Sequence, residues 1–305
     1  MTGNPPSGNQ LELRHGPHQA TVVEVGAGVR SYAVDGRPVL DGYQAGAMAD
    51  GARGATLVPW PNRLEDGRYT FDGEDLQLAL TEPGRHNAIH GLLRWVPWQV
   101  AERTSAAVTL ATRLHPQQGY PFMLDVSVRW SLSDDGLTCS TQATNSGVRA
   151  APFAAGHHPY LHPGSGTVDG CLLQVTGTSR VDTDAERQLP TGTVPVAGTP
   201  YDFTSPRPVA DLEVDHAWTD LQRDGDGRAW IRLTGADGRT AALWADGSYR
   251  YLQAYTGDTL APDRRRRGLG AEPMTSPPNA FRSGTDLVRL EPGRSVAMSW
   301  GVRLD

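Results

Sequence analysis

The sequence predicts an all-β fold, a large antiparallel β-sandwich. Apolar residues alternate with polar ones over many short segments, which is the period-two pattern of half-buried strands. Turn-forming residues recur about every eight to twelve positions, a spacing that is typical of stacked antiparallel sheets. The 35 glycines and 23 prolines are spread along the chain and leave few segments in which a helix of normal length would run unbroken.

The clearest predicted element is a hairpin in the middle of the chain. Apolar residues alternate from Leu124 to Leu132, Asp134-Asp135-Gly136 supplies a turn, and the segment 137–141 returns. The same alternation predicts a closing strand from Ser295 to Val302. Further hairpins are predicted at Val34-Asp35-Gly36, Ala236-Asp237-Gly238 and Ala245-Asp246-Gly247.

The length of the chain favours one domain. A chain of 305 residues buries about 75% of its unfolded surface when it folds, which is enough for one large core. No linker, low-complexity tract or repeat divides it, so residues 11–305 are predicted to form a single domain after a disordered tail, residues 1–10. The N-terminus lacks the basic start and apolar run of a signal peptide, and no segment has the roughly 18 apolar residues of a membrane span. We therefore expect a soluble, cytoplasmic protein.

Charge and cysteine content exclude several classes of partner. The net charge of −6 at pH 7 and the pI near 5.8 are mild. The dense basic run from Arg264 to Arg267 is too short for a nucleic-acid track, so neither nucleic acid nor a membrane is an expected partner. Cys139 and Cys171 fit neither a metal knuckle nor a disulfide framework and are predicted to be buried thiols.

A proline-rich segment near the C-terminus carries one carboxylate, Glu272. Pro273, Pro277 and Pro278 fix φ, remove N–H donors and restrict the residue before each of them. We predict that Glu272 lies at a strand end leading into a stiff loop, where it is positioned as an acid or a base. The alternative is a structural glutamate that bonds to a nearby amide.

Histidines cluster in two segments, 86–90 and 157–162. A metal site of the cupin type would use imidazoles and a carboxylate on neighbouring strands. The spacing does not require it, and neutral, hydrogen-bonded histidines are the alternative. His157 and His158 are adjacent and face opposite ways in an extended chain, so one of them at most lines a given pocket. The candidate ligands would be His86, His90, His157 and Glu272.

Five short motifs stand in order between about Val22 and Val302. They are Asn62-Arg63, His90-Gly91 after Asn87, His158-Pro159-Tyr160, Asp215-His216 and Glu272-Pro273. In type, order and rough spacing they resemble the motifs of the aldose 1-epimerases, also called galactose mutarotases. The resemblance implies the galactose mutarotase-like supersandwich fold, with a sugar cleft across a concave sheet.

The resemblance implies an isomerase that interconverts the α and β anomers of a free hexose, glucose or galactose, by acid/base ring opening. By similarity Glu272 is the catalytic base and His158 the catalytic acid, placed on opposite sides of the sugar. We expect a carboxylate neighbour to raise the pKa of His158, which keeps it protonated. Neither a metal nor a nucleotide cofactor is needed, so no cofactor is predicted.

The resemblance also implies a set of sugar-binding residues. Arg63 and Asp215 look like the pair that orients the hydroxyl groups, and Asn62 can donate and accept. His90 aligns with a second imidazole that donates to the ring oxygen or a neighbouring hydroxyl. Tyr160 and Trp60 are candidates for stacking on the sugar, Trp60 with a core position as its alternative. His86, His157 and His216 are candidates for supporting positions.

Simpler roles and other functions stay open at this point. Arg63 would otherwise pair with a carboxylate at a strand end, and Asp215 would cap a turn. A glycosidase would use Asp215 and Glu272 as its two carboxylates, which leaves His158 without a task. A noncatalytic sugar-binding protein of the same fold has no need of an acid and a base.

A hexose-phosphate mutarotase is the nearest alternative, with the arginines 264–267 around the phosphate or else in a solvated loop. The chain departs from many relatives at Gly91-Leu92 and at Leu161-His162-Pro163, which leaves the choice of sugar open. The expected partner is a small-molecule sugar, and the expected state is a monomer or a weak homodimer.

Overall fold

The structure is a computed structural model that describes residues 4–162, 164 and 166–305. It confirms the predicted all-β sandwich. Helical segments are short: α1 (Ala280–Ser283) and two 3-10 turns at Pro83–Arg85 and Val168–Gly170. The strands are β1 (Gln10–His15), β2 (His18–Val23), β3 (Val29–Val34), β4 (Arg37–Pro38), β5 (Thr56–Leu57), β6 (Arg63–Glu65), β7 (Arg68–Phe71), β8 (Glu74–Gln77), β9 (Asn87–Ile89), β10 (Gln99–Arg103), β11 (Ala107–Leu114), β12 (Leu124–Ser133), β13 (Gly136–Asn145), β14 (Ala151–Phe153), β15 (Gly156–His157), β16 (Tyr160–Leu161), β17 (Leu172–Val175), β18 (Gly177–Thr183), β19 (Pro190–Pro195), β20 (Arg207–Pro208), β21 (Asp215–Leu221), β22 (Ala229–Thr234), β23 (Thr240–Ala245), β24 (Tyr251–Tyr255), β25 (Leu269–Met274), β26 (Val288–Leu290) and β27 (Ser295–Leu304).

Two large antiparallel sheets dominate the architecture. One has nine strands in the order β10-β11-β12-β13-β27-β23-β22-β17-β20. The other has eight strands in the order β19-β18-β21-β24-β25-β15-β5, with β16 also paired to β25. A four-stranded sheet, β1 to β4, and three two-stranded ribbons complete the described fold.

A single large apolar core joins the sheets. The alternating residues of β12, including Val128 and Trp130, are buried as predicted. Each buried aliphatic side chain of this kind contributes about 1.5 to 3 kcal/mol relative to an exposed position. His157 on β15 in the eight-stranded sheet packs its ring against Trp130 and Trp300 of the nine-stranded sheet, with centroids 6.1 and 5.3 Å away. Cys139 and Cys171 are both buried and are not joined by a disulfide.

Three of the four predicted hairpins are confirmed. Ser133 pairs with Gly136 at the β12–β13 turn, and the turns at 35–36 and 235–239 join β3 to β4 and β22 to β23. The prediction at Ala245-Asp246-Gly247 is wrong, because β23 belongs to the nine-stranded sheet and β24 to the eight-stranded sheet. Asp246 accepts hydrogen bonds from the N–H groups of Ser248 and Ser299, so this turn anchors a crossing between the sheets. The closing strand is confirmed as β27.

The predicted disordered tail extends too far. Asn9 N–H donates to Glu24 Oε2 at 2.9 Å, and Val25 N–H donates to the Ser7 carbonyl at 3.0 Å. These bonds tie the residues before β1 to the segment after β2. Residues 1–3 lie outside the described residues. Location in the cytoplasm and the oligomeric state stay predictions, and no described helix has the length and apolar character to span a bilayer.

Strand β25 positions Glu272. The prediction of a strand end is wrong by two residues, because Glu272 and Pro273 both lie within β25, opposite Gln253 and Leu252 of β24. Ala271 N–H donates to the carbonyl of Pro159, on the side where the partner chain is interrupted between β15 and β16. The missing N–H of Pro273 points to the same side, so an inner strand tolerates the proline here.

Candidate active site

The predicted site residues line one cleft of about 420 Å³ beside the eight-stranded sheet. They come from four strands, β6, β16, β21 and β25, and from the loops next to them, because the fold brings distant segments together. β21 contributes Asp215, β25 contributes Glu272, and the interruption between β15 and β16 contributes His158. The seven residues are Asn62, Arg63, His90, His158, Tyr160, Asp215 and Glu272.

Glu272 and His158 contact each other. Glu272 Oε1 lies 3.2 Å from His158 Nε2, and both side chains are buried. The backbone of His158 is fixed by two hydrogen bonds, from its N–H to the Ala55 carbonyl and from Gly54 N–H to its carbonyl. The expectation that a sugar separates the two groups is wrong for this conformation, since 3.2 Å leaves no room for a ring between them. They form one acid/base pair on one side of the cleft.

Burial governs the charge of this pair. It raises the pKa of Glu272 well above its usual range, and the Asp215 carboxylate raises it further, while Arg63 opposes the shift. Burial also lowers the pKa of His158 to about 3, and the Arg53 guanidinium adds to this. The predicted upward shift of the His158 pKa is therefore wrong, because the cost of burying an imidazolium exceeds the attraction of the neighbouring carboxyl group.

Two polar atoms of the pair are buried without a partner. Within the described part of the chain, Glu272 Oε2 and His158 Nδ1 have no hydrogen-bond partner. Such atoms cost free energy in a folded protein, about 1 to 3 kcal/mol each, unless a ligand completes them. Glu272 lines the cleft, so a hydroxyl group of a bound ligand can form a hydrogen bond with the unpartnered Oε2 atom.

His90 is held as a neutral donor. Asn62 N–H donates to His90 Nδ1 at 3.2 Å, which places the imidazole proton on Nε2. Burial lowers the pKa of His90 well below its usual range, with a further contribution from His158. The rings of His90 and His158 meet edge to face with centroids 5.3 Å apart. A neutral Nε2–H group therefore lies beside the acid/base pair.

Glycine is required after His90. A Cβ at Gly91 would lie 2.2 Å from the Val58 carbonyl oxygen, and its φ of +70° suits glycine. Asn62, His90 and Gln188 line the cleft and also have positive φ, at 56°, 64° and 53°. Each such non-glycine residue costs of order 1 kcal/mol or more, a kind of strain that is concentrated at functional sites.

Asp215 is held from two directions. Gln253 on β24 donates to Asp215 Oδ1 at 2.7 Å, and Gln188 donates to Oδ2 at 2.8 Å. Gln188 comes from the turn between β18 and β19. Asp184 closes that turn by accepting hydrogen bonds from the N–H groups of Arg187 and Leu189. Asp215 lies at the start of β21 and both of its oxygens accept hydrogen bonds from side-chain amides, so it does more than cap a turn.

Arg63 is anchored by a carboxylate and still reaches the cleft. Its Nε and Nη2 donate to Glu82, with Nε 2.9 Å from Oε2 and Nη2 3.0 Å from Oε1. The alternative that Arg63 forms an ion pair with a carboxylate is thus correct, and the carboxylate is that of Glu82. Among the described residues Arg63 Nη1 has no hydrogen-bond partner, so this nitrogen is the one left to contact a ligand.

Tyr160 borders the cleft but supports His158. The rings of Tyr160 and His158 stack with centroids 5.1 Å apart and an interplanar angle of 16°. The guanidinium carbon of Arg53 lies 3.9 Å from the centroid of the Tyr160 ring. The Tyr160 hydroxyl donates to the Gly51 carbonyl at 2.8 Å. Its aromatic face is thereby engaged within the protein.

A family model for aldose 1-epimerases matches residues 9–301, almost the whole chain. The chain belongs to the aldose 1-epimerase family. The uncharacterized protein YihR of Escherichia coli (strain K12) is 35% identical over 289 residues, 94% of this chain and 91% of that protein. The aldose 1-epimerase of the same organism is 27% identical over 214 residues, 67% of this chain and 60% of its own length.

Solved structures of aldose epimerase homologues share the fold. The GalM/aldose epimerase homologue from C. elegans has a TM-score of 0.86 at 19% identity, covering 97% of this chain and 98% of that one. The galactose 1-epimerase from Lactobacillus acidophilus NCFM has a TM-score of 0.81 at 18% identity, covering 97% and 94%. At these identities the likeness shows the fold.

Several candidate residues lie away from the cleft. Trp60 is buried against Phe281, so its core alternative is correct. Adjacent His157 and His158 point in opposite directions, as predicted, and His157 faces the core. Its Nε2 lies 2.9 Å from Thr141 Oγ1. His86 is exposed beside Asp66, so the cupin-type ligand set does not converge, and the described residues contain no cluster of potential metal ligands.

His216 and the arginine run are engaged elsewhere. His216 packs against Tyr201 with ring centroids 4.8 Å apart. Arg264 pairs with Asp41 and Arg266 with Asp258, whereas Arg265 and Arg267 are exposed. None of the four arginines lines the cleft. Pro163, part of one departure from the family pattern, lies outside the described residues.

The cleft is also lined by residues that were not predicted from the sequence, and four of them bear on its chemistry. They are Glu82, Arg94, Gln188 and Trp95, and Trp95 is 48% exposed at the rim. The strained turn at Gln188 left no pattern in the sequence. Arg94 and Trp95 follow the His90 motif closely. The sequence alone did not single them out, because an arginine next to a strand is usually an exposed charge and a tryptophan is usually part of the core.

Proposed function

We propose that this chain interconverts the α and β anomers of a free hexose, with glucose and galactose as the first candidates, by opening and reclosing the pyranose ring. The observation that carries the proposal is the buried contact of 3.2 Å between Glu272 Oε1 and His158 Nε2. Membership of the aldose 1-epimerase family supports this reaction class.

The reaction needs one proton removed from the C1 hydroxyl and one delivered to the ring oxygen. Both oxygens are bonded to C1, so an acid and a base in contact with each other reach them together. In the proposed step Glu272 accepts the hydroxyl proton, and the electrons of that O–H bond form the carbonyl. The bond from C1 to the ring oxygen breaks, and its electron pair takes the proton of His158. Rotation about C1–C2 and the reverse transfers give the other anomer.

The pair needs one proton in total to begin this cycle. A neutral carboxylic acid beside a neutral imidazole and a carboxylate beside an imidazolium contain the same number of protons. The shifted pKa values of Glu272 and His158 favour the neutral arrangement before the sugar binds. Transfer across the 3.2 Å contact produces the reactive arrangement, and the polar groups of the sugar stabilise its charges.

The remaining residues hold the sugar. The Nε2–H of His90 donates beside the ring oxygen and stabilises negative charge as it develops there. Arg63 Nη1 donates to a hydroxyl, and Asp215 accepts from another while its amide partners keep it in place. Trp95 offers an exposed apolar face at the rim.

Polarimetry of freshly dissolved sugar tests the proposal. We expect the first-order rate of rotation change for α-D-glucose or α-D-galactose to rise in proportion to protein concentration. Sugar binding with no acceleration would overturn the proposal in favour of a noncatalytic sugar-binding protein. Release of alcohol from a glycoside would favour a glycosidase, which leaves the contact between Glu272 and His158 without a role.

A further inference from the structure

Arg94 is a cation at the cleft with no counter-charge. Its side chain is half-buried and lines the cleft. Its guanidinium carbon lies 5.2 Å from the Trp95 ring centroid, and within the described part of the chain the guanidinium has neither an ion pair nor a hydrogen bond. Burial lowers the pKa of Arg94 and no carboxylate offsets the shift.

The other arginines around the cleft differ from Arg94. Arg63 makes a two-pronged contact with Glu82, and Arg85 lies 3.8 Å from the same carboxylate. Arg53 in the adjoining small pocket pairs with Asp41 and Asp50. A partly buried guanidinium is normally paired, because removing its charge from water costs free energy that only a partner restores. The partner of Arg94 is therefore expected from a ligand.

The balance of charge at the cleft points the same way. Three arginines line it, namely Arg63, Arg85 and Arg94, together with three acidic residues. Glu82 is shared by two of these arginines, and Asp215 is engaged by two glutamine amides. Burial raises the pKa of Glu272, which favours its neutral form. A local positive excess remains on a chain whose net charge is −6.

We propose that Arg94 forms an anion subsite beside the sugar site and takes a phosphate or carboxylate substituent of the aldose. The inference rests on the proposed anomer exchange, and it changes the preferred substrate from a neutral hexose to an aldose that carries an anionic group. A guanidinium group donates two parallel hydrogen bonds to a phosphate or a carboxylate, which is its strongest mode of recognition. Arg94 and Trp95 border both the cleft and the small pocket, so the substituent lies where these two spaces meet.

Kinetics with charged and neutral sugars test the subsite. Glucose 6-phosphate and glucuronate are compared with glucose by polarimetry. We expect kcat/KM to be at least about tenfold higher for one or both charged sugars. In Arg94→Gln the value for the preferred charged sugar falls about 10- to 100-fold, whereas that for glucose changes less than about threefold. Equal kcat/KM values in the wild type, or equal losses for charged and neutral sugars, would overturn the proposal.

Arg265→Gln is the matched control. Arg265 is exposed and does not line the cleft, so the same change in net charge leaves the preference intact. Arg94→Lys keeps a charge without the two-pronged geometry and retains part of the preference. If Arg94→Gln shows no melting transition and therefore does not fold, the preference for the charged sugar is compared between the single variants Arg94→Lys and Arg265→Gln. An unchanged preference in Arg94→Lys then counts against two-pronged recognition and overturns the proposal.

Binding of glycosides separates this inference from the proposed reaction. Methyl α-D-glucopyranoside 6-phosphate has no free C1 hydroxyl and does not open, so calorimetry reads its affinity without any turnover. We expect it to bind at least about tenfold more tightly than methyl α-D-glucopyranoside, and Arg94→Gln to abolish the difference. If the wild type shows this preference but exchanges no anomers, the proposed reaction fails and the anion subsite stands. Equal binding of the two glycosides, together with no preference for glucuronate, would overturn the subsite.

Discussion

Asp215 adds to the raised pKa of Glu272, whose main cause is burial. The two carboxyl groups belong to β21 and β25, and Gln253 on the strand between them donates to Asp215 Oδ1. Gln253 is also the register partner of Glu272. The sheet thus holds the Asp215 carboxylate between two side-chain amides and places it where it raises the pKa of a second carboxyl group, Glu272, beside an imidazole.

The pH profile of the reaction follows from this arrangement. The pair of Glu272 and His158 carries a single titrating proton at pH values between two limits. The lower limit is the pKa of His158, which is lowered to about 3, and the upper limit is the raised pKa of Glu272. Once the spontaneous rate is subtracted, we predict that kcat/KM falls only at low pH, where His158 becomes protonated, and at high pH, where Glu272 ionises. A rise or fall centred near the ordinary histidine pKa of about 6.5 would show that a solvent-exposed imidazole controls the rate instead.

Glu272 is predicted to cost stability at neutral pH. Its folded pKa is above its unfolded value, so between these values the folded carboxyl group keeps a proton that the unfolded one releases. Stability therefore falls as pH rises through this window, by about 1.4 kcal/mol for each unit of pKa shift. We expect Glu272→Gln to melt at a higher temperature than the wild type at pH 8, and by a smaller margin at pH 5. Exposed Glu213 gives the control Glu213→Gln, for which no such trend is expected. A lower melting temperature for Glu272→Gln at both pH values would refute the assignment.

Gln188 is predicted to be a positioning residue. Its amide donates to Asp215 Oδ2 at 2.8 Å, and its turn is closed by Asp184. Gln188→Leu removes this donor, so Asp215 loses one of its two amide partners and the sugar is held less firmly. We expect KM to rise about tenfold with kcat within about threefold. Gln118 is exposed and provides the control Gln118→Leu. Equal falls in kcat and kcat/KM for Gln188→Leu would assign it to the chemical step.

Much of the fold follows from local sequence pattern. Burial alternates through all ten residues of β12 and from Leu137 onward in β13, and the two strands join at Ser133 and Gly136. One pairing register therefore buries the apolar face of both strands. The turn at Asp246 has the same local chemistry as a hairpin, but its strands enter different sheets. That choice depends on long-range packing, which a short motif does not encode.

The positions of the site residues were predicted better than their electrostatics. Residue type and family order identified Glu272 and His158, since ring opening needs an acid and a base. The direction of the His158 shift depends on burial by segments distant in the chain, including the one that carries Arg53. Gln188 and Arg94 depend in the same way on how loops meet around the sheet, so neither followed from neighbouring residues.

The most direct measurement is the rate of anomer exchange by Glu272→Gln, compared with the wild type and with the control His86→Asn, whose histidine is exposed away from the cleft. The substitution removes a proton acceptor with little change in volume. We predict that Glu272→Gln slows polarimetric exchange of α-D-glucose or α-D-galactose by at least about 10², with sugar affinity within about tenfold of the wild type, and that His86→Asn matches the wild type. A Glu272→Gln protein that exchanges anomers at the wild-type rate would contradict the mechanism.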